Sequence, residues 1–175
     1  FLSFGIPLII VDDGSNEENK AILKRIAGSS PDIVLISNIQ NSGKGVAIKQ
    51  GIAYCKQHAI DFAFQVDADN QHSLAAVPVF ISESRAEKSK KHSIIGYHVY
   101  DSTVPAIRRD GRKVSNFFVS ITTLTPDVRD SLCGFRIYPV AETWKIYRNP
   151  FISKRMPIDM ELLTRLYWRG VSIIY

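Results

Sequence analysis

The chain has 175 residues, 45% hydrophobic and 22% charged, which excludes a disordered or fibrous protein and leaves enough length to bury a sizeable core. Its 22 basic and 17 acidic residues give a formal charge of +5, favouring anionic partners such as phosphates or a membrane surface. The two cysteines, Cys55 and Cys133, have no metal-ligand spacing and build no disulfide framework, and no signal peptide or membrane span is visible, so a reducing, cytoplasmic setting is expected.

The sequence opens on FLSFGIPLIIV without an initiating Met and stops on VSIIY, so further segments are expected outside it. Residues 6–11 (IPLIIV) form a near-continuous apolar run, as in a parallel strand buried on both faces. Asp12, Asp13 and Gly14 end it. Ser15 with Glu18 reads as a capping box, followed by Ile22, Leu23 and Ile26 at helical spacing and by Gly28 as a stop. A second strand is expected at 33–36 (IVLI), then a helix carrying Ile48, Ile52, Cys55 and Ala59 on one face. A third strand at 62–66, a helix from about 73 to 89, and a strand near 93–99 complete this half. Beyond it, 110–124 reads as a helix, 130–138 ends in an extended FRIY, 158–169 is a helix and 171–175 a strand. The alternation predicts one three-layer α/β domain over 1–175 with a mostly parallel sheet, residues 1–99 holding the ligand-binding half and 100–175 the acceptor-side half.

Three polar clusters follow consecutive strands: Asp12-Asp13-Gly14-Ser15, Asn41-Ser42-Gly43-Lys44-Gly45 and Asp67-Ala68-Asp69. A parallel sheet gathers such segments along the carboxyl edge of its strands, where open α/β folds place ligands. The first offers carboxylates to a base or ribose. The second offers a glycine-flanked backbone, a helix N-terminus and one ammonium, suited to a phosphate. The third pairs two carboxylates across one small residue, suited to a hard divalent cation that shares phosphate oxygens. Together they describe a nucleoside diphosphate held with a metal ion.

The strings IIVDDGS at 9–15, NSGKGVAIKQGI at 41–52, VDADNQH at 66–72, DSLCGFRIYP at 130–139 and IDMELLTRLYWRG at 158–170 resemble, in order, those of glycosyltransferase family 2, the inverting GT-A type that includes dolichyl-phosphate mannosyltransferases. The resemblance implies a GT-A (Rossmann-like) fold, a UDP- or GDP-linked sugar donor, Mg2+ or Mn2+, and inversion at the anomeric carbon. It implies donor contacts from Asp12, Asp13, Gly14, Ser15, Asn41, Lys44, Gly45, Asp67 and Ala68. It makes Asp67 and Asp69 the D-x-D metal pair, turns Asp130 to the sugar or acceptor, and draws a general base from Asp159 or Glu161. In one respect the chain departs from the family: the usual opening strand ending in Pro-x-Tyr-Asn-Glu does not occur here, which predicts about 30 further residues ahead of Phe1, roughly one strand and a helix.

A hydroxyl acceptor needs deprotonation by a carboxylate, whereas a lipid phosphate is already anionic and needs cations to position it. Arg108, Arg109, Arg112 and Lys113 flank an expected turn at Asp110-Gly111 and precede Val114, Phe117 and Phe118, an arrangement suited to the inner face of an anionic membrane. Asp159 and Glu161 diverge by about 200° around a helix, so only one can face a cleft, and the core positions Leu162 and Leu163 favour Asp159. A response-regulator receiver shares the early acidic pattern but needs a Ser or Thr and then a Lys after later strands, which 94–100 does not offer. A nucleotide-sugar-binding module without turnover would keep the same pocket. No nucleic-acid partner is expected.

Overall fold

The first apolar run folds as β1 (Leu8–Asp12), which pairs in parallel with β2 (Ile33–Ser37), Leu8 opposite Ile33 and Asp12 opposite Ser37. The computed structural model describes residues 1–87, 89–97, 106–126 and 128–175, and of 106–110 the backbone alone. Between these strands runs α1 (Glu17–Ala27), with Glu17 and Glu18 in its first turn and Lys24 and Arg25 in its last, matching the helix dipole. Its N-cap is Asn16, whose side chain accepts the Asn19 N–H, and not the expected Ser15. Ser15 instead donates its backbone N–H to Asp12, so the residue is spent on the turn.

After β2 comes α2 (Lys44–Gln57), which buries Ile52 and Cys55 and packs Ile48 beside them; Ala59 lies past its end with φ 55°. β3 (Phe62–Gln65) leads through a 3-10 turn, Leu74–Ala76, into α3 (Val77–Ala86), shorter than the expected helix. β4 (His92–Ile95) follows, and residues 98 and 99 of its expected continuation lie outside the described residues. α4 (Ala106–Thr123) runs through Asp110 and Gly111, so the turn expected there is helical. β5 (Arg136–Pro139) passes directly into α5 (Val140–Tyr147), then α6 (Ile158–Trp168) and β6 (Ser172–Ile174).

The second sheet has the order β3-β5-β4-β6. β3, β4 and β6 share one direction, and β5 alone runs against them, antiparallel to both β3 and β4. Alternate residues of β3 enter different clusters: Ala63 joins Tyr138, Ile52, Val140, Ile146 and Leu166 on one side, and Phe64 joins Val77, Ile95, Val119 and Phe135 on the other. Both faces are therefore covered by helices, the three-layer arrangement expected. α6 ties the layers together, with Ile158, Leu162 and Leu166 in the first cluster and Leu163 in the second. Each such fully buried side chain stabilises by about 1.5–3 kcal/mol relative to exposure.

Candidate active site

The ends of β1 and β3 and the start of α2 build the site. Asp13 closes the loop ahead of α2: its Oδ1 accepts from Asn38 Nδ2 at 2.9 Å and Ser42 N at 2.8 Å, and its Oδ2 from Gly43 N at 2.7 Å. Burial pushes the Asp13 carboxyl up, but the donors from Ser42, Asn38 and Gly43 outweigh it and hold it below its ordinary value. Asp12, 3% exposed, is held low by its hydrogen bonds from Ser15 against the opposing effect of burial. The loop is also clamped from the far side. Gly43 has φ 101°, and a Cβ there would collide with the Lys154 carbonyl; Gly45 donates its N–H to that same carbonyl at 2.9 Å.

This clamp aims Lys44 across the sheet edge. Its ammonium lies 2.7 Å from Asp67 Oδ2 and 2.6 Å from Asp159 Oδ2. Burial pushes the Lys44 pKa down, yet Asp159 and then Asp67 more than reverse this and hold it above the ordinary lysine value. Gln65 Nε2 reaches Asp67 Oδ1 at 3.2 Å and Asp159 Oδ1 at 3.5 Å, tying the two acids together from below. A second approach is equally tight: any Cβ at position 134 would overlap the Asp67 carboxylate, so Gly134 is required beside it.

A cavity of about 440 Å³ opens over this cluster, lined by Lys44, Asp67, Asp69, Arg112, Gly134 and Asp159 among others. Asp69 is exposed and accepts from Gln71 N at 3.1 Å. Arg112, expected as an acceptor or membrane contact, holds buried Asp130 through Nη1, at 2.8 Å to Oδ1 and 2.6 Å to Oδ2, and lines the cleft. Glu161, by contrast, accepts from Ser153 N at 2.8 Å and Arg165 Nε at 2.7 Å, on the other side of α6 from Asp159. Lys113 is exposed, and the side chains of Arg108 and Arg109 lie outside the described residues. Asn41 and Ala68 are exposed, the latter at the edge of a separate, larger cavity; Gly14, at φ 82°, packs against the Gln40–Asn41 backbone.

The three clusters thus gather at one edge, Asp13 by shaping the Lys44 loop and Lys44, Asp67 and Asp69 on the cleft itself. Gln65, Gly134 and Arg136 were not singled out by sequence. Arg136 is completely buried, donating to the carbonyls of Cys133, Ser131 (2.7 Å) and Asp159 (2.8 Å), and so fixes the backbone of the acid that faces Lys44. A buried arginine reads from sequence as a surface one.

Residues 5–149 match the family described as Glycosyl transferase family 2. The chain is 28% identical over 170 residues to a dolichyl-phosphate beta-glucosyltransferase of Dictyostelium discoideum, covering 93% of this chain and 51% of that protein. It is 24% identical over 174 residues to another of that description from Trichomonas vaginalis, covering 98% of this chain and 53% of that protein. An uncharacterized protein of Methanocaldococcus jannaschii is 28% identical over 143 residues, 75% of this chain and 59% of that one. The chain thus spans about half the length of these curated relatives. With a matched region running from just before β1 to just past α5, and with the GT-A fold that the family implies, the chain belongs to glycosyl transferase family 2.

Proposed function

We propose that this chain is the donor-binding and catalytic part of a transferase that moves a sugar, with inversion, from a nucleoside diphosphate to a lipid phosphate. The observation that carries this reading is the Lys44 ammonium between Asp67 and Asp159, on a cleft that Asp69 and Arg112 also line. As the glycosidic bond breaks, negative charge builds on the departing diphosphate, and a cation fixed beforehand at that place lowers the barrier without reorganising. The loop from 41 to 45 presents the N-terminus of α2 beside Lys44, a second source of positive potential for phosphate oxygens.

The acids fit a hard divalent cation. Asp67 already turns an oxygen to a cation, Gly134 leaves no side chain against it, and Asp69 lies on the same cleft. Asp67 and Asp69 would hold Mg2+ or Mn2+, which would neutralise charge on the leaving diphosphate. Asp12 and Asp13 act on the donor through the turn and the loop they brace.

The acceptor reading rests on two supports. Two of the three relatives above are described as dolichyl-phosphate beta-glucosyltransferases. In addition, Arg112 is locked by Asp130 at the cleft, where it would receive an acceptor phosphate, while Phe117, Phe118 and Ile121 of the same helix are 60, 57 and 52% exposed. No helix among the described residues is long and apolar enough to cross a membrane, so the exposed face of α4 would serve a peripheral attachment. An acceptor that arrives as an anion needs no base; Asp159 then holds Lys44 in place, and it would accept a proton only from a hydroxyl acceptor.

The test is transfer by the natural full-length polypeptide from labelled UDP- and GDP-sugars into a polyprenyl phosphate and, separately, into a saccharide. Label in the lipid phase with inverted anomeric configuration supports the reading. Donor binding without transfer, or transfer to the saccharide alone, overturns it.

A further inference from the structure

Both oxygens of Asp67 are engaged. Lys44 Nζ takes Oδ2 at 2.7 Å, Gln65 Nε2 takes Oδ1 at 3.2 Å, and the Gly134 backbone stands so close that a Cβ there would overlap the carboxylate. The side chain still keeps 31% of its surface in solvent, on the cleft that Asp69 shares. Lys44 has two anchors of unequal kind: Asp159, at 2.6 Å, is buried, whereas Asp67 faces the cleft. Its stem rises from the first residue of α2, beside Gly45, whose N–H is fixed on the Lys154 carbonyl, so the ammonium swings about a fixed root. Gln65 Nε2 also reaches Asp159 Oδ1 at 3.5 Å, so the two acids keep their spacing whichever way the ammonium turns.

We propose that Lys44 and a divalent cation compete for Asp67, and that a nucleoside diphosphate resolves the competition by taking over the ammonium, so that metal and diphosphate bind cooperatively through this one side chain. On one carboxylate an ammonium and a dication repel each other, the more so where the site is partly shielded from water. Lys44 therefore gives up its Asp67 bond when a metal is held there and keeps Asp159 alone, which weakens metal binding. Phosphate oxygens at the N-terminus of α2 give the ammonium a second anionic partner again and remove that penalty. Each ligand then tightens the other by the same factor. The same swing carries the cation from a carboxylate to the leaving group, so Lys44 reaches its working position only when both ligands are present. This inference rests on the proposed function, because it takes Asp67 and Asp69 as the metal pair and the cleft as the diphosphate site.

Mn2+ binding to the natural full-length polypeptide, read from the paramagnetic resonance of the free ion with and without UDP or GDP, tests it without turnover. The parent should bind Mn2+ weakly alone and at least about tenfold more tightly with the nucleoside diphosphate. Lys44→Met should bind Mn2+ alone about tenfold more tightly than the parent and gain less from the diphosphate. Lys113→Met, which removes an equal charge from an exposed residue that does not line the cleft, should leave Mn2+ affinity within about threefold of the parent. If Lys44→Met binds the ion alone no more tightly than the parent, or if both variants gain equally, the competition is overturned, while joint binding in the parent keeps the proposed function standing. A parent that binds neither ligand overturns both. A measurement on the parent serves where Lys44→Met fails to fold. Acetylation of Lys44 by acetic anhydride, read by peptide mass spectrometry, should rise severalfold in saturating Mg2+ alone and fall again when the diphosphate is added. Labelling of Lys44 that Mg2+ alone lowers or leaves unchanged overturns the proposal.

Discussion

Lys44 Nζ lies 2.6 Å from Asp159 Oδ2, joining the start of α2 to the start of α6 across 115 residues of sequence. Asp159 is 2% exposed, so its charge is balanced by this ammonium and not by water. The contact joins stability to the proposed chemistry: the same cation that lets two carboxylates converge at the sheet edge would, under the proposed function, meet the diphosphate.

Replacing Lys44 by Met should therefore destabilise the chain, because it leaves one buried and one partly exposed carboxylate without their cation. The cost is about 2 kcal/mol, below that of a fully buried pair because Asp67 keeps 31% of its side chain in solvent. Denaturant unfolding measures it, and Mn2+ should recover more stability in Lys44→Met than in the parent. Unchanged unfolding would mean that the ion pairs contribute nothing.

Asp12 and Asp13 both have folded-state pKa values below 3.8. The unfolded chain thus binds more protons near that pH, so their stabilisation is present above about pH 4 and is lost as pH falls through the folded values. Asp13→Asn should flatten this acid limb and loosen the loop at 41–45, since Asp13 accepts from three donors there. Urea unfolding from pH 6 down to 2.5 tests it; an identical acid limb in the variant contradicts the assignment.

Much of this was legible in the sequence, and the misses have physical causes. Strands β1, β2 and β3 are apolar runs ended by turn formers, and the carboxyl-edge rule brings Asp67 and Lys44 to one edge. The direction of β5 was not readable, because a buried run such as Arg136–Pro139 has no feature that separates parallel from antiparallel pairing. α5 was missed because Val140 follows Pro139 with no turn residue between strand and helix. The pairings of Lys44 with Asp159 and of Arg112 with Asp130 join residues far apart in the chain. Sequence grouped Arg112 with Arg108, Arg109 and Lys113 as an acceptor or membrane contact, but its partner Asp130 and its place on the cleft depend on the fold.

Gly134→Ala should act on the site more than on the fold. Its Cβ would occupy the place of the Asp67 carboxylate, which must swing away from Lys44. Transfer activity should fall at least tenfold, with about 1–2 kcal/mol lost from overpacking. Parent-like activity would show that the position of Asp67 is unimportant.

Asp159→Asn and Glu161→Gln separate the two acids of α6. Asp159→Asn removes the main partner of Lys44 and should lower kcat/KM at least tenfold. Glu161→Gln weakens contacts to Ser153 and Arg165 outside the cleft and should leave kcat/KM within about threefold while costing about 1 kcal/mol of stability. Equal kinetic losses in the two variants would contradict the geometry.

The most direct measurement is thermal stabilisation of the full-length polypeptide by UDP and GDP with and without Mn2+, in the parent and in Asp69→Ala. Asp69 is exposed and makes one local hydrogen bond, so its loss should leave the ligand-free melting temperature within about a degree. One nucleoside diphosphate should stabilise the parent in a Mn2+-dependent way, and Asp69→Ala should abolish this dependence. The same Mn2+-dependent shift in both proteins would contradict it.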